Sequence, residues 1–232
     1  MKRIGLLGGM SWESSVEYER IINEEVRSRL GGVHSADLIV RSYDFAEIEE
    51  LQEAGEWERA GRLLADDARM LQSAGAGLIV LCTNTMHKVA GAIEEAVDVP
   101  FLHLADATAR AVVAAGISVV ALLGTRYTME ETFYRARLEA YGLTVLVPDE
   151  PDRSMIHEVI FSELVRGVIS SESKVRYLAA IDRLREQGAE GVVAGCTEIE
   201  LLVGADDLTC PYFPTTRLHA LAAVDYALDD SR

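Results

Sequence analysis

Residues 188–200 read Gly-Ala-Glu-Gly-Val-Val-Ala-Gly-Cys-Thr-Glu-Ile-Glu, and this stretch decides the fold. The apolar run Gly191 to Ala194 predicts a short buried strand, followed by a glycine bend, Cys196 and the start of a helix. Cys196 therefore stands at the carboxyl end of a strand, the edge at which open α/β sheets bind ligands. Unpaired N–H groups and the helix dipole at such a position favour negative charge. We therefore expect them to lower the pKa of the Cys196 thiol and to populate its thiolate.

The same construction occurs earlier, where residues 75–87 read Gly-Ala-Gly-Leu-Ile-Val-Leu-Cys-Thr-Asn-Thr-Met-His. Aligning the Gly-Ala pairs that open the two stretches gives an offset of 113 residues (188 − 75). That offset places Thr83 opposite Cys196 and Cys82 opposite Gly195. Neighbouring side chains of a strand point to opposite faces, so Cys82 should point away from the site. We predict that Cys82 is a buried structural thiol.

Short apolar strands alternate with amphipathic helices along the whole chain. Short connections between them indicate parallel sheets with helices on both faces. The predicted strands are 4–7, 38–40, 78–81, 101–104, 119–123, 144–147, 191–194 and 211–213, and the predicted helices are 14–30, 45–53, 57–74, 85–96, 106–115 (starting at Asp106 or Thr108), 130–141, 155–166, 173–187 and 216–228.

The pattern restarts near residue 119, about halfway along the chain, which indicates an internal duplication rather than a solenoid. We predict an α/β fold of two pseudo-symmetric lobes, each a parallel sheet flanked by helices, with the active site in the cleft between them. Lobe one spans 1–104, with the C-terminal helix 214–232 returning to it, and lobe two spans 105–213.

Composition limits the classes of function. With 38 acidic and 22 basic residues the formal charge is −16, which argues against nucleic acid or an anionic membrane as partner. Three cysteines, an odd number, suggest reduced thiols in a reducing compartment. The apolar start lacks a signal-peptide pattern, and the longest apolar stretch, 111–123, is too short to span a bilayer. We expect a cytoplasmic protein, and no residue set shows metal-ligand spacing.

Three segments resemble the aspartate/glutamate racemase superfamily: Gly-Gly-Met-Ser-Trp-Glu at 8–13, Cys-Thr-Asn-Thr-Met-His at 82–87 and Gly-Cys-Thr-Glu at 195–198. The resemblance covers essentially the whole chain and is greatest to the branch of aspartate racemases and broad-specificity amino-acid racemases. It implies an isomerase that acts on a small amino acid without pyridoxal phosphate, metal or any other cofactor. It also implies a homodimer.

Inverting an α-carbon without a cofactor requires a base on one face and an acid on the other. The resemblance assigns these roles to Cys196, as thiolate and thiol, and to Thr83. The usual pattern of the family has cysteine where this chain has Thr83, and a threonine hydroxyl is a poor base unless activated. The broad-specificity branch carries threonine at this place, so we expect a slow racemase.

Polar groups beside the catalytic pair are candidates for holding the substrate. Asn84 and Thr85, with N–H groups at the helix start, are expected to bind the α-carboxylate, and Thr197 to do so from the other lobe. The resemblance adds Met10 and Gln52 to the substrate pocket.

The acidic-substrate branch carries basic side chains near two positions at which this chain has Ile48 and Val165, with Arg166 adjacent. Without them a second substrate carboxylate lacks charge-assisted partners. We therefore favour neutral or mixed amino acids over aspartate alone.

Other interpretations stay open. An aspartate-specific racemase, a one-cysteine decarboxylase or a maleate-type isomerase would use the same fold. A non-catalytic small-molecule binding protein would keep Cys196 as an inert core thiol. Glu198 either orients Cys196 or caps the helix, and for His87, His103 and His219 a structural role is favoured over catalysis.

Overall fold

The computed structural model describes residues 1–229, which form two compact units. Unit 1 comprises Met1–Leu104 together with the chain from His219 onward, and unit 2 comprises Ala105–Leu218. Each unit contains one four-stranded parallel sheet with helices packed on it. The predicted fold class, two similar α/β halves, is confirmed.

Unit 1 has the strand order β2-β1-β3-β4. Its strands are β1 (Ile4–Gly8), β2 (Leu38–Ser42), β3 (Leu78–Leu81) and β4 (Phe101–Leu102). Its helices are α1 (Trp12–Leu30), α2 (Phe45–Glu53), α3 (Trp57–Ser73) and α4 (Ala90–Glu94), with a 3₁₀ helix at Thr85–Val89.

Helix α5 (Leu104–Ala114) leads into unit 2, whose strand order is β6-β5-β7-β8. The strands are β5 (Val119–Gly124), β6 (Thr144–Leu146), β7 (Gly191–Gly195) and β8 (Tyr212–Pro214). The helices are α6 (Arg126–Glu130), α7 (Thr132–Glu139), α8 (Asp152–Ser162), α9 (Ser171–Glu186) and α10 (Ile199–Leu202), with 3₁₀ helices at Leu164–Arg166 and Ala205–Asp207. The last helix, α11 (Thr215–Leu228), begins in unit 2 and belongs to unit 1 from His219 onward.

The two sheets repeat one topology. In each, the first strand pairs on one side with the second and on the other with the third, and the fourth pairs with the third. All of these pairs are parallel, so the carboxyl ends of the strands meet at one edge of each sheet. The duplication read from the sequence is therefore present in the backbone.

Alternation along β3 divides the core of unit 1 between two faces. Ile79 and Leu81 belong to a buried cluster that includes residues of α2 and α3. Val80 and Cys82 belong to a second cluster, shared with α1 and the end of α11. Cys82 is fully buried there, and burial raises the pKa of its thiol above the ordinary value. The prediction that Cys82 is a buried thiol is confirmed.

Several predicted elements are shorter than the sequence pattern indicated. The helix predicted at 85–96 begins as a 3₁₀ helix and ends at Glu94. The helix predicted at 130–141 is two helices, because Glu131 adopts an extended backbone between them. The helix predicted at 155–166 ends at Ser162 and continues only as a 3₁₀ turn.

The strand predicted at 101–104 ends at Leu102. The N–H of Leu104 donates to the Nε2 atom of His87 at 3.2 Å instead of extending the sheet, and α5 starts at this residue. A side chain from another element therefore ends the strand, which the local sequence pattern does not reveal.

Among residues 1–229, none of the helices combines the length and apolar character needed to cross a membrane.

Candidate functional site

Unit 1 places three predicted site residues directly after β3. Thr83, Asn84 and Thr85 are all buried, with Thr85 opening the 3₁₀ helix. The N–H of Cys82 still donates to Leu7 in β1 at 2.9 Å, so the sheet continues to the residue before Thr83. Thr83 is therefore the first residue beyond the hydrogen-bonded sheet, and pairing of β3 with β1 sets its position.

Two further predicted residues lie in the same unit. Met10 follows β1 and is buried in the cluster that contains Met86 of the 3₁₀ helix. The side-chain amide of Gln52, in α2, donates to the Met86 sulfur at 3.1 Å. The structure thus connects the Met10 and Gln52 positions with the helix that follows Thr83.

Unit 2 places Cys196 and Thr197 directly after β7. Both residues are 8% exposed, so each is almost completely buried. The Cys196 thiol donates a hydrogen bond to Glu198 Oε2, with 2.9 Å between sulfur and oxygen. The hydroxyl of Thr197 accepts from the hydroxyl of Thr216, at the start of α11, at 3.2 Å.

The protonation of Cys196 corrects the expectation from the sequence. Burial raises the pKa of the thiol well above its ordinary value, and the neighbouring Glu198 carboxylate raises it further. A second negative charge beside a buried carboxylate is disfavoured, and the helix that follows, α10, has only four residues. The predicted lowering of the pKa was therefore wrong, and Cys196 is a neutral thiol at neutral pH.

Two glycines bring the strands together beside Cys196. Gly124 of β5 and Gly195 of β7 lie opposite each other in the sheet. A Cβ atom on Gly195 would lie 2.8 Å from the carbonyl oxygen of Leu123, and one on Gly124 would lie 2.9 Å from that of Gly195. This close approach explains why the position before Cys196 is glycine. The equivalent position in unit 1 holds a larger residue, Cys82.

Glu198 was undecided from the sequence, and His87 was expected to have a role other than catalysis. Glu198 contacts the thiol, so it is the hydrogen-bond acceptor of Cys196. His87 contacts the backbone of Thr83: its Nδ1 atom lies 2.7 Å from the Thr83 carbonyl oxygen. The short spacings in sequence, two and four residues, were the available signals, but each is equally compatible with a capping role.

The two positions at which the acidic-substrate branch carries cations are apolar here and packed into cores. Ile48 is fully buried in unit 1, and Val165 packs against the core of unit 2. The neighbouring Arg166 is exposed in the 3₁₀ turn. Elsewhere in residues 1–229, no three side chains of His, Cys, Asp or Glu converge on a point suited to a metal ion.

Two duplicated parallel sheets with a thiol–carboxylate pair at one strand end define a class of two-unit α/β proteins. The sequence model of the Asp/Glu/Hydantoin racemase family matches residues 7–223. A proposed Asp/Glu racemase from Yersinia pestis is 53% identical, with a TM-score of 0.93 over 99% of this chain and 100% of that one. An aspartate racemase homologue from Pyrococcus horikoshii is 33% identical, with a TM-score of 0.86 over 98% and 99% of the two chains.

The aspartate racemase of Picrophilus torridus shares the fold at 19% identity, with a TM-score of 0.77 over 98% of this chain and 94% of that one. The chain belongs to the Asp/Glu/Hydantoin racemase family. The resemblance drawn from the three sequence segments is thereby confirmed.

Proposed function

We propose that the protein is a cofactor-independent amino-acid racemase in which Cys196 and Thr83 exchange protons with opposite faces of the substrate α-carbon. The observation that carries the proposal is the buried pair of Cys196 Sγ and Glu198 Oε2, 2.9 Å apart. A thiol acts as a base only after it loses its proton, and Glu198 is an acceptor within hydrogen-bonding distance of that proton. Membership of a racemase family supports the same activity.

The proton steps follow from the neutral thiol. Cys196 first passes its proton to Glu198, and the thiolate then takes the Cα proton while the C–H electron pair stays on carbon. The Thr83 hydroxyl gives its proton to the opposite face of this carbanion. The resulting alkoxide recovers a proton from solvent, and protonated Glu198 releases one, so the protons balance. Because an alkoxide is a costly intermediate, turnover is slow.

The remaining predicted residues bind the substrate in this proposal. Asn84, Thr85 and Thr197 hold the α-carboxylate, and Met10 and Gln52 line the pocket. All of these side chains are buried, and all except Gln52 lie within four residues after a strand, which supports the assignment. Since Ile48 and Val165 offer no charge, the enzyme accepts neutral as well as acidic amino acids.

Deuterium exchange in heavy water tests the proposal directly. L-Aspartate and L-homoserine should both acquire deuterium at Cα and both yield the D-enantiomer. Cys196→Ala should lower the rate by about 10³-fold, because it removes a general acid–base group. Cys210→Ala, which removes a thiol just before β8 and away from the strand end, is the matched control and should keep the wild-type rate.

Undiminished racemisation by Cys196→Ala would overturn the mechanism. A strong preference for aspartate over homoserine would overturn the broad specificity. Absence of both deuterium uptake and racemisation with every amino acid tried would leave the binding-protein interpretation.

A decarboxylase is the second candidate, because the position equivalent to Cys196 after β3 is Thr83 rather than a second cysteine. Decarboxylation needs proton delivery to one face only, so a single thiol suffices. Carbon dioxide release from malonate-type diacids, without racemisation of amino acids, would favour this activity. The homodimer and the cytoplasmic location also stay proposals, testable by light scattering and cell fractionation.

A further inference from the structure

Three buried histidines of unit 1 lie together, and one of them contacts the backbone of Thr83: His87, His103 and His219. The ring centroid of His87 is 4.6 Å from that of His103 and 5.8 Å from that of His219. His87 itself is 2% exposed. A buried imidazole needs a partner for each ring nitrogen, so these partners reveal what the ring does.

Both ring nitrogens of His87 have backbone partners. Nδ1 lies 2.7 Å from the carbonyl oxygen of Thr83, which can only accept a hydrogen bond. Nε2 lies 3.2 Å from the backbone nitrogen of Leu104, which can only donate one. The ring is therefore the neutral tautomer with its proton on Nδ1, since a proton on Nε2 would face another N–H.

The other end of this bridge is itself held in place. His219 Nε2 lies 2.8 Å from the Leu102 carbonyl oxygen, and its Nδ1 lies 2.8 Å from the hydroxyl of Tyr18. The chain at 102–104 is thus bonded to one histidine on each side of His103. His87 connects Thr83 to a fixed point of unit 1 rather than to a mobile loop.

We infer that His87 is a positioning residue that aims the Thr83 hydroxyl by fixing the peptide plane at the Thr83 carbonyl. The inference rests on the proposed function, in which that hydroxyl delivers a proton to Cα. The carbonyl carbon is bonded to the Cα atom that carries the side chain, so a shift of the carbonyl group displaces Cα and moves the hydroxyl with it. A displacement of about 1 Å at a reacting group costs about 10²-fold in rate.

Two substitutions separate the two bonds of His87. In His87→Asn the side-chain amide nitrogen occupies the place of Nδ1, so the bond to Thr83 is kept and the one to Leu104 is lost. In His87→Gln the longer side chain places its amide oxygen near the place of Nε2, so the bond to Leu104 is kept and the one to Thr83 is lost. Each variant is the matched control of the other.

The inference predicts that His87→Gln lowers kcat for racemisation by about 30-fold with KM changed less than about 3-fold, because positioning of a reacting group acts on the transition state. His87→Asn should keep kcat within about 3-fold of wild type, even if its Tm falls as much as the Tm of His87→Gln. Equal losses of kcat in both variants, or losses that follow Tm, would overturn the inference and leave a purely structural histidine.

Nitrogen NMR of the wild-type protein supplies a readout that does not depend on a variant folding. The expected result is a proton on Nδ1 of His87 and none on Nε2, and a proton on Nε2 would overturn the inference. Absence of any racemisation by the wild type would refute the proposed function, and the inference with it. Wild-type racemisation with indistinguishable His87 variants would refute the inference alone.

Discussion

The two strand ends, residues 78–87 in unit 1 and 191–200 in unit 2, share a backbone plan and differ in how the residue at the site is supported. In unit 1 the support acts on the backbone: His87, four residues after Thr83, bonds to the Thr83 carbonyl. In unit 2 the support acts on the side chain: Glu198, two residues after Cys196, bonds to the thiol.

The supporting residues have no counterparts in the other copy. Thr85 stands where Glu198 would be in unit 1, and Glu200 stands where His87 would be in unit 2. Glu200 instead accepts the N–H of Thr216, at 3.1 Å, and so holds the start of α11. Duplication thus sets the place of each site residue, whereas the residues two and four positions later determine its chemistry.

Removing the charge of Glu198 tests the side-chain support and carries the largest effect expected from changing a supporting residue. Glu198→Gln should lower kcat for racemisation by about 100-fold, because the thiol loses its proton acceptor. The pKa of Cys196 should fall, because the carboxylate that disfavours a second negative charge is gone, although burial still keeps it raised. Kinetics and the pH dependence of thiolate absorbance in the ultraviolet measure both effects.

Glu200→Gln is the matched control, since this carboxylate bonds to the Thr216 backbone rather than to the thiol. It should change kcat less than about 3-fold. As pH rises, thiolate should appear earlier in Glu198→Gln than in wild type or Glu200→Gln. Thiolate appearing later in Glu198→Gln would show that the carboxylate does not raise the pKa of Cys196.

The positions immediately before the two site residues should differ in their tolerance of alanine. Gly195→Ala places a Cβ 2.8 Å from a backbone oxygen and should lower the free energy of unfolding by about 2 kcal/mol. Cys82→Ala, the equivalent position in unit 1, only removes a buried sulfur and should cost about 1 kcal/mol. Urea unfolding measures both, and a larger loss at Cys82 would contradict the steric explanation.

The sequence predicted the sheets, their parallel order and the burial of Cys82 because these depend on local apolar periodicity and on the side-chain alternation of strands. It did not predict where β4 ends, because the N–H of Leu104 is bound by a histidine 17 residues earlier. Contacts between residues far apart in the chain, of which this is one, leave no local pattern.

Cys196 shows the same limit at the candidate site. Its place after a strand was correctly identified, whereas the direction of its pKa shift was not. That direction depends on how deeply the thiol is buried and on the orientation of the Glu198 carboxylate. Neither quantity follows from the spacing Cys-Thr-Glu, although the spacing made Glu198 a candidate partner.

Restoring symmetry between the two copies is the mildest test of the comparison. Thr83→Cys should raise kcat by about 10-fold, because a thiol ionises closer to neutral pH than a hydroxyl does and is the better proton-transfer group. Unit 1 has Thr85 rather than a carboxylate two residues later, so the new thiol lacks the partner that raises the pKa of Cys196. Thr83→Ser, which keeps a hydroxyl, is the matched control and should stay within about 3-fold of wild type. A lower kcat in Thr83→Cys at unchanged Tm would mean that racemisation depends on a hydroxyl at this strand end, and that the two copies diverged for catalysis rather than drifted apart.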